Sequence, residues 1–279
     1  MKNRRSYYVA VQGHEIHVSE WGDPTAPSLV MWHGLARNGR DFDTAARFFA
    51  ADYRVICPDT IGRGLSSWSS DPDNDYTIPV YCTLALGLLD ALGVQRCAWV
   101  GTSMGGLLGM ALAGSEAGRQ RIAKLVVNDM GPVLNADAIN RIKAYVSMVP
   151  EFNSMAEFEA FLRAVYAPFG LLSDAEWRLM ADTSVRRRDN GKLSSHFDPQ
   201  VMRVFCDQFD GSDAWEIWDA IRCPTLALRG EFSDLILVET AREMTQRGPK
   251  PALITVPGCG HAPMLNVPGQ LEPLAAFLA

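Results

Sequence analysis

WVGTSMGG, residues 99–106, joins an apolar run to a stretch of small residues through one serine that has a glycine two positions away on either side. Ala98-Trp99-Val100 has the composition of a strand buried on both faces, and Gly106, Leu107, Gly109, Met110 and Ala113 read as a small-residue helix. The stretch therefore predicts a strand-to-helix turn. Within it, Gly101-Thr102-Ser103-Met104-Gly105 matches G-x-S-x-G, in which the turn strains the serine backbone and lifts its Oγ at the strand end. Bulk two residues to either side would block such a turn, which is why both places want glycine. A phosphate cradle is the competing reading, but the chain contains neither G-x-x-x-x-G-K-S/T nor G-x-G-x-x-G.

Outward from the turn, short apolar runs alternate with helical periodicity. Leu29-Val30-Met31-Trp32, Arg54-Val55-Ile56-Cys57, Leu125-Val126-Val127, Thr225-Leu226-Ala227-Leu228 and Leu253-Ile254-Thr255-Val256 read as further buried strands. Tyr81, Leu84, Ala85, Leu88, Leu89 and Leu92 recur at helical spacing and stop at Gly93. Helices are also expected around Leu237–Met244 and Leu271–Leu278. Ahead of all this, Tyr7–Val11 and Glu15–Trp21 alternate around Gln12-Gly13-His14 and predict an antiparallel hairpin. The pattern is that of an α/β fold with a mostly parallel sheet.

The alternation is interrupted between Pro132 and about Asp213, where Phe158, Phe161, Leu162, Val165, Trp177 and Met180 suggest helices instead. We expect residues 133–213 to form a mostly helical cap, inserted into a core made of 1–132 and 214–279. Arg186-Arg187-Arg188-Asp189 within it reads as a solvated charged face, with a substrate-carboxylate site as the sharper alternative. The aromatics Phe158, Phe161, Trp177, Trp215 and Trp218 read as packing residues more than pocket lining, although some of them must face the active site if the cap covers it.

Bulk properties exclude several functions. The 279 residues are 48% hydrophobic and 21% charged, enough for a sizeable core, and 26 basic against 32 acidic residues give a net charge of -6. Nucleic acid is not an expected partner. Lys2-Asn3-Arg4-Arg5 is followed by an alternating stretch rather than a signal-peptide apolar region, and no uncharged run is long enough for a bilayer, so a cytoplasmic protein without membrane contact is expected. The six cysteines show no C-x-x-C pair, which predicts buried thiols and neither a metal site nor a disulfide framework.

A serine nucleophile needs a base, and the base an orienting acid. Two later strand ends carry candidates: Gly230-Glu231-Phe232-Ser233-Asp234, and Gly258-Cys259-Gly260-His261. Asn128-Asp129 follows an earlier strand, so Asp129 and Glu231 rival Asp234 as the acid. Taken with His33-Gly34, the loop Asp59-Thr60-Ile61-Gly62-Arg63-Gly64-Leu65-Ser66 and the Ser103 turn, in this order, the chain resembles the α/β-hydrolase superfamily over nearly its whole length.

That resemblance implies Ser103 as nucleophile, His261 as general base and then acid, and Asp234 as the residue orienting the imidazole. It implies an oxyanion hole formed by the backbone N–H groups of Leu35 and Met104, whose side chains are also candidates to line the substrate pocket. His33 would support the oxyanion loop, and Asp59 would anchor its own loop. The expected reaction is hydrolysis of small or medium carboxylic esters through an acyl-enzyme, without cofactor or metal. Carbon–carbon bond hydrolysis of ring-fission products, lactone or thioester hydrolysis, and a hydrolase-like receptor for a small ligand are the alternatives. The serine nucleophile argues against dehalogenases and epoxide hydrolases, and Ala262 stands where carbon–carbon hydrolases of this type usually carry Trp.

Overall fold

The computed structural model describes residues 4–146, 150–208 and 211–279, so Lys2 and Asn3 of the N-terminal basic run lie outside the described residues. β1 (Arg5–Val11) and β2 (His14–Trp21) form the expected antiparallel hairpin, turning at Gln12-Gly13, where both residues have positive φ. Next come β3 (Ser28–Trp32), α1 (Asp43–Phe49), β4 (Arg54–Pro58), α2 (Pro72–Asp75), α3 (Ile78–Ala91), β5 (Cys97–Thr102), α4 (Met104–Gly114) and β6 (Ile122–Asn128). The inserted segment carries α5 (Ala136–Val146), α6 (Met155–Val165), α7 (Asp174–Ser184), β7 (Val185–Arg187), β8 (Leu193–Ser195) and α8 (Pro199–Gln208). α9 (Trp215–Ala220), β9 (Thr225–Gly230), α10 (Val238–Met244), β10 (Ala252–Val256) and α11 (Pro268–Leu278) complete the chain.

The main sheet has eight strands in the order β1-β2-β4-β3-β5-β6-β9-β10. β1 to β2 and β2 to β4 are antiparallel, and all other pairs are parallel. The continuous apolar runs divide their side chains between the two faces, as a period of two requires. Val30, Trp32, Trp99, Leu125 and Val127 pack in one core layer, while Leu29, Met31, Val100, Val126, Leu226 and Leu228 pack in the other. Trp32 and Trp99 stack at 5.1 Å beneath the serine turn, which ties β3 to β5 at the edge where the chemistry is placed.

The inserted segment adds no strand to the main sheet. It has a small core of its own, in which Phe158 and Leu162 of α6 meet Trp177, Met180 and Ala181 of α7. One feature differs from the helical expectation: β7 and β8 form a two-stranded antiparallel hairpin. Each strand is three residues long, too short to show a period of two, and the turn signal Asn190-Gly191 directly follows the charged run. Of that run, Arg186 stacks over Trp68, Arg187 donates to the Gly191 carbonyl and Arg188 donates to Ser194 Oγ. None of the three lines the main cavity.

Candidate active site

Ser103 begins α4 with φ +52° and ψ -118°, a backbone conformation that L-residues seldom adopt. The surrounding glycines show why the turn is possible. A Cβ at Gly101 would lie 2.0 Å from the Gly105 carbonyl oxygen, and one at Gly105 would lie 2.0 Å from that of Trp32. Neither position accepts a side chain without moving the backbone of the turn or of β3. The result is a serine hydroxyl at the carboxyl edge of the sheet, next to the positive end of α4.

His261, on the loop after β10, brings Nε2 to 2.9 Å from Ser103 Oγ. Its Nδ1 stands 2.7 Å from Asp129 Oδ2. Asp129 is fully buried at the end of β6, also in a positive-φ conformation, and accepts from the Gly230 N–H at 2.9 Å and from Ser233 Oγ at 2.6 Å. With three donors converging on this carboxylate, Nδ1 carries the imidazole proton and Nε2 is the acceptor for the serine hydroxyl.

The carboxylate beside His261 is not the expected one. Asp234 does not approach His261: its carboxylate accepts from Arg141 Nε at 3.0 Å and Nη2 at 2.6 Å, and its side chain is 45% exposed. The loop after β9 is tied down by Arg229, which donates to the carbonyls of Gly230, Glu231, Ser233 and Ile236. In that loop Ser233 faces Asp129 and Asp234 points outward to α5. Glu231 is engaged elsewhere, accepting from the Gly258 N–H. The sequence signal for Asp129 is its place directly after the strand that neighbours β5, with Asn128 paired to Thr102 in the sheet.

The oxyanion candidates are organised by His33. Its Nε2 accepts from the Thr60 N–H at 2.9 Å, so the proton is on Nδ1, which donates to the Gly34 carbonyl at 2.7 Å. The Arg37 N–H donates to the same carbonyl. In a trans peptide the N–H points opposite the C=O, so fixing the Gly34 carbonyl aims the Leu35 N–H the other way. Among the described residues, neither the Leu35 nor the Met104 N–H donates a hydrogen bond. Both residues line a cavity of about 350 Å³ together with Ser103 and His261.

The cavity wall is mostly apolar, and the inserted segment supplies part of it through Tyr166, Phe169 and Phe205. None of Phe158, Phe161, Trp177, Trp215 and Trp218 lines it, so the aromatics that face the site are not the ones expected from the sequence. The expected anchoring role of Asp59 has a clear geometry: the carboxylate accepts from the Gly39 and Leu65 N–H groups and from His17 Nδ1. Burial opposes its ionisation, but the His17 hydrogen bond and charge, with the Leu65 N–H, hold it below the usual carboxylate range.

Two buried histidines couple the site to pH. Burial lowers His33 to about 4, and burial with the nearby Arg37 charge lowers His196 to about 3. His196 Nδ1 accepts from the Gly64 N–H at 2.6 Å, a bond that protonation would break. Both groups bind a proton more readily unfolded than folded, so their contribution to stability is complete above pH 6.5 and is lost as pH falls toward 4 and 3. The expected loss near pH 5 is on the order of 2 to 3 kcal/mol per pH unit for the pair. Denaturant midpoints measured from pH 7 to 4.5 should fall steeply, and a flat profile would contradict the assignment.

An eight-stranded, mostly parallel sheet with a serine on the β5–α4 turn and a histidine beyond its last strand has the architecture of the α/β hydrolases. A model of the alpha/beta hydrolase family matches residues 29–274, and the chain belongs to that family. A 3-hydroxybutyrate-oligomer hydrolase of Cupriavidus necator is 40% identical over 268 residues, covering 92% of this chain and 90% of the relative. A non-heme chloroperoxidase of Burkholderia pyrrocinia is 28% identical, covering 94% of each chain. The crystal structure of an alpha/beta hydrolase from Novosphingobium aromaticivorans superimposes with a TM-score of 0.89 at 31% identity, covering 100% of this chain and 99% of that one.

Proposed function

We propose that the protein is a serine hydrolase acting on carboxylic esters, with 3-hydroxybutyrate oligomers as its substrate class. The observation that carries the reaction type is the continuous relay from Ser103 Oγ through His261 to Asp129, at 2.9 and 2.7 Å. His261 takes the serine proton as Oγ attacks the ester carbonyl, and the Leu35 and Met104 N–H groups receive the oxyanion. The imidazolium then protonates the leaving alcohol. Water, activated by the same imidazole, cleaves the acyl-enzyme and restores the serine. Asp129 keeps the imidazole in the tautomer that can accept, and stabilises its charged form.

Support for the substrate class comes from the Cupriavidus necator relative and from the cavity. An oligoester of a four-carbon hydroxy acid has a methyl-bearing chain suited to an apolar wall, and its repeating bond is a carboxylic ester. Residues 133–213 serve in this reading as a cap that closes the cavity over the substrate through Tyr166, Phe169 and Phe205. Incubation with the linear dimer and trimer of 3-hydroxybutyrate should release monomer, followed by chromatography of the products, in a reaction that the Ser103→Ala variant does not perform. Turnover of simple aryl esters with no release from either oligomer would reject the substrate class.

A further inference from the structure

Arg63 stands on the loop after β4 and is fully buried, 0% exposed. No carboxylate among the described residues lies within ion-pair distance of it. The buried acids nearby have other partners, Asp59 with His17 and Asp198 with the Tyr76 hydroxyl. A cation removed from water without a counter-charge is costly, so its hydrogen bonds and its position invite explanation.

Those bonds run to both walls of the oxyanion site. Nε donates to the Leu35 carbonyl at 3.0 Å, Nη1 donates to the Ile61 carbonyl and the Tyr81 hydroxyl, and Nη2 reaches Met104 Sδ at 3.6 Å. The guanidinium also lies 4.9 Å from the centre of the Tyr81 ring. The contrast with Arg229 is informative, because that buried guanidinium spends its donors on four backbone carbonyls. At Arg63 the Nη2 group, which faces Met104, has only a thioether as acceptor, and a thioether accepts weakly.

We propose that Arg63 is a positioning residue that clamps Leu35 and Met104 and holds an uncompensated positive charge behind the oxyanion site. The inference rests on the serine-hydrolase reading above. In the resting protein no carboxylate among the described residues pairs with this charge, and a negative partner arises when the ester carbonyl becomes a tetrahedral oxyanion. An interaction present only at that point lowers the barrier without tightening substrate binding. The guanidinium contributes twice, by holding the Leu35 backbone through its carbonyl and the Met104 side chain through its sulfur, and by the field at the oxygen that the two N–H groups receive.

The test uses p-nitrophenyl butyrate, which has no charge, and a trifluoromethyl ketone, whose adduct with serine carries the oxyanion. Arg63→Met should lower kcat by about 100-fold, the scale of losing one oxyanion donor. KM should change by less than about threefold, as expected for an interaction made only in the transition state. The ketone inhibition constant should rise in step with the fall in kcat/KM. Arg63→Lys, which keeps the charge, should recover part of both. Should Arg63→Met fail to fold, Arg63→Lys and Tyr81→Phe, each close to the native volume, carry the test through smaller parallel changes in kcat and ketone affinity.

The inference is overturned if these variants hold kcat within about threefold of wild type, or if kcat falls while ketone affinity stays constant. It is also overturned if the loss appears only with carboxylate-bearing esters, which would make Arg63 a substrate anchor. Absence of Ser103-dependent turnover in the wild-type protein would instead reject the serine-hydrolase reading on which it stands.

Discussion

Asp129→Asn is expected to lower kcat by about four orders of magnitude while leaving the fold intact, because the amide cannot hold His261 with its proton on Nδ1. The substitution preserves volume, and an asparagine oxygen can still accept from the Gly230 N–H or Ser233 Oγ that now bind the carboxylate. What is lost is the acceptor for Nδ1–H and the charge that stabilises the imidazolium. Asp234→Asn is the matched comparison. Its carboxylate pairs with Arg141 at 2.6 Å between side chains that are 45% and 48% exposed, and exposed pairs of this kind contribute little. Its kcat/KM should stay within about fivefold of wild type. Steady-state rates on one ester, with thermal unfolding as a control for folding, separate the two acids. The reverse pattern, a large loss at Asp234 and a small one at Asp129, would contradict the geometry.

The second large effect is at the nucleophile. Ser103→Ala should reduce kcat by about six orders of magnitude, leaving the residual rate that a bound substrate and an oxyanion site still provide. The variant keeps the turn, since alanine occupies no more space than serine at a site where the backbone strain is set by the neighbouring glycines. Its unfolding midpoint should therefore match wild type. A double variant, Ser103→Ala with His261→Ala, should be no slower than the single one, because the members of such a relay act as a unit and their losses do not add. Additive losses would mean that the two side chains serve separate steps.

The difference between what the chain announced and what it concealed has a physical origin. The Ser103 turn was legible because its requirement is local: two glycines, a strand before and a helix after, contiguous in the chain. The strands were legible for the same reason, since burial on both faces produces an unbroken apolar run. The acid was not, because β6 and β9 follow β5 in the sheet, so an acid beyond the end of β6 or of β9 stands at the same edge as the serine. The choice was made within the loop after β9, where Arg229 ties the backbone and Arg141, from the inserted segment, draws the Asp234 carboxylate outward. The cavity aromatics were hidden likewise: helical periodicity locates an apolar face without showing what it faces. Tyr166, Phe169 and Phe205 acquire their role only when α6 and α8 are placed over the sheet edge.

The most direct measurement is acid-quenched mass spectrometry of the intact chain, taken within the first turnovers of p-nitrophenyl butyrate and followed by proteolysis. The account predicts one butyryl group per chain, located on the peptide that contains Ser103 and absent from Ser103→Ala. Turnover of the ester with no adduct on that peptide, or an adduct on another residue that persists in Ser103→Ala, would contradict it.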